Sequence, residues 1–127
     1  MYQLVSVAFP FANDANKVKP RPGFVISPAF GKHNQVIVAY VTTHIDEILE
    51  TDILLDSSKK YFAATGLKQT SLLKLHRLAT FQPEVLKKGE GLLPDAIVAQ
   101  LKQKLVKIFQ LKNSQSEWYR LNSPEGR

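Results

Sequence analysis

The stretch that decides the fold is Lys19–Thr43, KPRPGFVISPAFGKHNQVIVAYVTT. It holds two apolar runs of β character, Gly23–Ser27 and Gln35–Val41, joined by Pro28–Asn34. Paired, the runs are antiparallel, and Arg21 at the entry of one comes near Thr42 at the exit of the other. Pro20 and Pro22 set their own φ, and Pro22 biases Arg21 towards an extended backbone, so the arginine has a fixed direction. A guanidinium beside the hydroxyls of Thr42 and Thr43 is a phosphate cradle. The same residue types also occur as a solvated surface charge and as strand-end threonines chosen by propensity. Local chemistry leaves both readings open and names no reaction.

Outward from this hairpin, Leu4–Phe9 reads as a first strand stopped by Pro10. Phe11–Lys19 is a polar loop with Asn13-Asp14 as a turn and Lys17 and Lys19 at its base; it is a connection, or a lid ahead of Arg21. Val36–Val41 is apolar on both faces, as expected of a central strand or an interface. Asp46, Glu47, Glu50, Asp52 and Asp56 surround a short apolar run, Ile53–Leu55. Their spacing matches no ligand motif, so they read as a solvated acidic strand edge. Ser57–Phe62 is a turn or short helix, and Ala64-Thr65-Gly66 punctuates the chain.

Ser71–Leu75 alternates as a strand, then come His76-Arg77 and Leu78–Phe81. Pro83 opens a helical turn, PEVLKK, that ends at Gly89, and Gly91–Leu93 gives one more short strand. A long helix begins with Pro94 at its first position. Ile97, Leu101, Leu105 and Ile108 form its apolar stripe, with Val98 and Phe109 beside it, and Lys102, Lys104 and Lys107 lie outside. This is a core-packing helix with a solvated basic face. Short strands followed by a C-terminal helix predict a mainly β chain, a small barrel-like sheet closed by that helix. The expected organisation is one domain over residues 1–113 and a polar tail over 114–127, with Trp118 and Tyr119 docking back.

Composition narrows the functional classes. The chain has 127 residues, 44% of them hydrophobic, enough for one core. A formal net charge of +6 and a pI near 9.6 favour a polyanionic partner. Cysteine is absent, which excludes disulfides and thiolate metal sites and fits a reducing compartment. No run is long enough to span a membrane, and the start, MYQLVSVAFPF, lacks the features of a signal peptide. His33, His44 and His76 have no spacing that argues for a metal.

Taken in order, these residues resemble the MazF/PemK (Kid) family of type II toxin–antitoxin ribonuclease toxins. The resemblance covers about Leu4 to Leu111. It runs through Phe9-Pro10-Phe11, the polar loop, Arg21-Pro22-Gly23-Phe24-Val25-Ile26 and the strand into Val41-Thr42-Thr43. Gly66-Leu67-Lys68, Ser71–Leu75, His76-Arg77-Leu78-Ala79-Thr80 and the C-terminal helix complete it. The Arg-Pro motif followed by a strand ending in a hydroxyl pair is the most specific part.

The resemblance implies an SH3-like small β-barrel with appended helix, working as a cytoplasmic homodimer that cuts single-stranded RNA, often mRNA, with no metal or other cofactor. It implies a 2′,3′-cyclic phosphate product made by attack of the RNA's own 2′-OH, and no membrane association. The implied protein partner is a cognate antitoxin whose acidic tail lies along the RNA groove. Arg21 matches the essential arginine, with an electrostatic task at the phosphoryl group; Thr42 matches the catalytic threonine and Thr43 its hydroxyl neighbour. Lys17 and Lys19 are expected to contact the RNA backbone.

Three departures bear on the chemistry. Tyr2-Gln3 stands where many members carry Gly-Asp or Gly-Glu. Lys74 and His76 stand where Kid-type members have Arg-x-Asp. Lys74 can hold a phosphate as a point charge, and His76 either replaces the aspartate as general base or is a half-buried histidine bonded to backbone. His33 and His44 rank behind His76. Phe11, Phe30 and Tyr40 are base-stacking or core aromatics. Two other functions stay open: a non-catalytic gyrase-binding toxin of the same fold, of the CcdB type, and a degenerate module that binds RNA or antitoxin without turnover.

Overall fold

The computed structural model describes residues 1–12 and 19–111. The Asn13-Asp14 turn, most of the expected lid, Lys17, Trp118, Tyr119 and the whole 114–127 tail lie outside those residues. Among the described residues six strands form one antiparallel sheet: β1 (Gln3–Val7), β2 (Arg21–Val25), β3 (Val36–Thr42), β4 (Asp52–Leu55), β5 (Ser71–Phe81) and β6 (Lys87–Leu92). Their spatial order is β4-β5-β3-β2-β1-β6. One helix, α1 (Asp95–Ile108), follows.

β2 and β3 pair antiparallel as the opening stretch demands, with Gly23 opposite Tyr40 and Val25 opposite Val38. β3 lies inside the sheet between β2 and β5, which explains its apolar character on both faces. Alternation sends Ile37, Ala39 and Val41 to one side, against Phe24, Ile53, Leu73 and Leu75. Val38 and Tyr40 go to the other side, against Val5, Val7, Phe9 and Val25. α1 seals the first side by inserting Ile97 and Leu101, both fully buried. Burying each such side chain contributes about 2 kcal/mol. Leu105, Ile108 and Val98 pack at the margin, whereas Phe109 is 57% exposed and does not extend the stripe.

The expected barrel is mainly β with a C-terminal helix, but its sheet is not closed. β4 and β6, at the two ends, do not pair. A 3₁₀ helix, Lys60–Thr65, follows β4, and its end lies against β6 so closely that a Cβ on Gly91 would stand 1.8 Å from the Thr65 carbonyl oxygen. Backbone packing takes the place of a closing ladder.

Several boundaries differ from the sequence reading. Ser71–Phe81 is one strand rather than two, because a bulge absorbs the polar His76-Arg77: Lys74 and Leu78 face the consecutive residues Tyr40 and Ala39, leaving 75–77 unopposed on β3. Only Pro83–Val85 is helical, as a 3₁₀ turn; Lys87 and Lys88 belong to β6, where pairing with β1 overrides helix propensity. Pro94 precedes the helix with ψ 156°, so α1 starts at Asp95. Asp52 is not on a solvated edge but buried, for reasons given below.

Candidate functional site

One row of residues crosses the entire sheet on the face opposite α1: Asp52 opposite Lys74, Lys74 opposite Tyr40, Tyr40 opposite Gly23, Gly23 opposite Val5, and Val5 opposite Lys88. The next row on that face runs Leu54, Leu72, Thr42. Continuing the β2–β3 register places Arg21 opposite Thr42, and Val7 stands on its other side. Extended in this way, the register brings the Arg21 backbone level with Thr42. Lys74 is the diagonal neighbour of Thr42, about 7–8 Å away between backbones, within reach of a long side chain.

Gly23 leaves room in the first row that Phe9 fills; a Cβ there would come within 2.8 Å of the Phe9 ring. Phe9 stacks edge-on with Tyr40 (5.1 Å) and Phe81 (5.5 Å), and Phe11 meets Tyr40 at 5.5 Å. This aromatic cluster makes the middle of the face rigid. Tyr40 is core, and Phe11 is half-buried against it, while Phe30 is exposed in the β2–β3 connection.

Arg21 is half-buried at the start of β2. Its Nε is covered and has no hydrogen-bond partner, the one such buried side-chain atom among the described residues. Native structures pair nearly all buried donors, so this nitrogen is an exception with a cost. Thr42 Oγ1 accepts the His44 backbone N–H at 3.2 Å, which leaves its own hydroxyl proton to donate. Thr43 and Lys19 are exposed beside them, and His33 and His44 are exposed outside the strands.

Lys74 donates to both carboxylate oxygens of Asp52, at 3.0 and 3.1 Å. An ammonium has three N–H bonds, so one remains for another acceptor. Asp52 also accepts the Leu49 N–H at 2.8 Å, which together with Lys74 explains how a carboxylate with no exposed side-chain surface is tolerated. His76, at the bulge, bonds the Thr51 hydroxyl through Nδ1 at 3.0 Å, and that nitrogen lies 3.9 Å from Asp52 Oδ1. Its partner is a side chain, not backbone. Arg77, beside it, lies over the Phe11 ring at 5.1 Å and the Tyr40 ring at 5.9 Å.

Sequence reasoning missed Asp52 and Arg77. Asp52 carried a faint signal, a carboxylate opening an apolar strand, but its partner becomes visible only once the β4–β5 register is known. Arg77 carried none, because a bulge sets its direction. Tyr2 and Gln3 are structural: the Tyr2 N–H donates to Val25 O at 2.6 Å and Gln3 Nε2 donates to Gly89 O at 3.0 Å. Away from the site, the Ser58 backbone N–H and then its hydroxyl hold the Asp56 carboxyl below its ordinary range. No three His, Asp or Glu side chains among the described residues are grouped as a metal would require, and no helix there is long and apolar enough to cross a membrane.

No curated protein matches the chain. The family model for PemK-like, MazF-like toxins of type II toxin–antitoxin systems matches residues 2–109, a span that includes all six strands and α1. The chain therefore belongs to the PemK-like, MazF-like family of type II toxins.

Proposed function

We propose that the protein is an endoribonuclease that cuts single-stranded RNA, including mRNA, by attack of the substrate's own 2′-OH. Toxins of this family are generally endoribonucleases. The observation that carries the reading here is the buried, unpartnered Nε of Arg21 on the strand position facing Thr42. A donor left free at such cost is accounted for by an anion that engages it.

In this scheme Arg21 stabilises the charge that grows on the phosphoryl oxygens, with a small adjustment of its side chain to bring Nε to the anion. Thr42 and Thr43 orient the phosphate, and the third N–H of Lys74 contacts it from the diagonal position. His76 takes the 2′-OH proton as the new P–O2′ bond forms and the P–O5′ bond breaks. Water protonates the departing 5′ oxygen. The products are a 2′,3′-cyclic phosphate and a 5′-hydroxyl, and no metal is required. Lys17 and Lys19 hold the RNA backbone. The working unit is residues 1–113 as a cytoplasmic homodimer, restrained by an antitoxin whose acidic tail competes for the same basic face; the net charge of +6 suits both polyanions.

The test is a substrate carrying one 2′-deoxynucleotide at a mapped cleavage site. Cutting there should stop while neighbouring sites are still cut. Persistent cutting at the deoxy position would rule out 2′-OH attack.

A further inference from the structure

We propose that Asp52 is a positioning residue for this site: from β4 it holds the Lys74 ammonium and fixes the His76 ring with its proton on Nδ1, so that Nε2 is left as the base. This rests on the ribonuclease reading above. The carboxylate has no exposed side-chain surface, yet both groups around it reach outward, Lys74 at 14% and His76 at 37% side-chain exposure. Two Lys74 N–H bonds end on its oxygens, which restricts where the ammonium can sit relative to Tyr40 and Thr42.

The ring is controlled by charge and by one hydroxyl. Nδ1 faces both Thr51 Oγ1, at 3.0 Å, and Asp52 Oδ1, at 3.9 Å. A negative oxygen at that distance favours the N–H on Nδ1 over a lone pair there, and Thr51 Oγ1 accepts that N–H. The free lone pair is then on Nε2, the nitrogen directed away from β4. Carboxylates behind a catalytic imidazole act in this way, by tautomer and orientation and not by taking the proton. Buried ion pairs are often exchanged for apolar residues of similar volume at little or no cost in stability, so packing alone does not call for this arrangement.

The variant is Asp52→Asn, which keeps the shape and an acceptor for the Leu49 N–H. Long-range ¹H–¹⁵N NMR of the neutral imidazole, with no RNA present, reads the tautomer. Wild type should show the Nδ1–H form for His76, and Asp52→Asn a mixture or the Nε2–H form. In cleavage assays kcat should fall on the order of 10- to 100-fold, a fraction of what a general base supplies. KM should hold or drop, because a negative charge has been removed from beneath a face that binds a polyanion. A purely structural role would instead lower the apparent kcat in proportion to the unfolded fraction seen by circular dichroism and leave the His76 tautomer of the folded protein unchanged, and that result overturns the proposal. An Nε2–H tautomer in wild type, or unchanged turnover in Asp52→Asn, also overturns it. Failure of wild type to cut any RNA overturns the ribonuclease reading, and with it the catalytic role of Asp52; cleavage with an indifferent Asp52→Asn overturns the role of Asp52 alone.

Discussion

Asp52 and Lys74 stand directly opposite each other on β4 and β5, and the lysine ammonium spans both carboxylate oxygens. Breaking the pair from the lysine side leaves a buried carboxylate with one hydrogen bond, from the Leu49 N–H, and the His76 ring 3.9 Å away. Lys74→Met should therefore destabilise the fold by about 3 kcal/mol. The double variant Asp52→Leu/Lys74→Met should recover much of that loss, since no charge is then stranded and only the Leu49 N–H loses its acceptor. Urea midpoints at constant m-value measure both. A double variant no more stable than the single one would contradict this.

Gly91 marks where the unclosed sheet is completed by packing. A Cβ at this position would meet the Thr65 carbonyl oxygen at 1.8 Å, the Thr65 carbonyl carbon at 2.3 Å and Gly66 N at 2.8 Å, all backbone. Gly91→Ala should separate β6 from the 3₁₀ helix and cost several kcal/mol, on the order of 3 or more, as large overpacking and strain do. Gly31→Ala has open space but φ +77°, so it should cost about 1 kcal/mol. Thermal melts of the two variants decide it; equal losses would show that the close contact does not matter.

The hairpin was legible because proline, alternation and the two apolar runs all specify one pairing, and that pairing alone brings Arg21 to Thr42. The C-terminal helix was legible from its stripe at Ile97, Leu101, Leu105 and Ile108. Asp52 was misread because burial of a charge depends on a partner far along the chain, Lys74, and sequence periodicity carries no register. Lys87 and Lys88 read as helical because local propensity could not anticipate their pairing with Ser6 and Val5. Arg77 escaped notice because the β5 bulge re-aims it onto Phe11 and Tyr40, and a bulge leaves no sequence pattern of its own.

The helix is part of the core rather than a basic attachment. Leu101→Ala should lose about 3 kcal/mol by opening a cavity between α1 and the sheet, whereas Lys102→Ala, on the exposed side, should change stability by less than about 0.5 kcal/mol. Chemical denaturation of the pair checks the assignment. A large loss from the lysine variant would mean that the basic side of α1 is also packed.

Lys19 is exposed two positions before Arg21 and contributes charge without shape. Lys19→Ala should weaken RNA binding equally across sequences and reduce the slope of log K against log salt by about 0.7, the value of one lost contact to a single strand. Binding isotherms over a salt series measure the slope. An unchanged slope would place the RNA away from this end of β2.

In the proposed reaction Arg21, whose Nε is unpaired and whose strand position faces Thr42 when the β2–β3 register is extended, supplies the charge that drives RNA cleavage. The most direct measurement is a gel assay of a long unstructured RNA in EDTA, wild type beside a folded Arg21→Ala. Wild type should cut at discrete sites and the variant should lose at least about 100-fold, the scale of removing one preorganised oxyanion donor. Cleavage that needs added metal, or that survives Arg21→Ala, would contradict it.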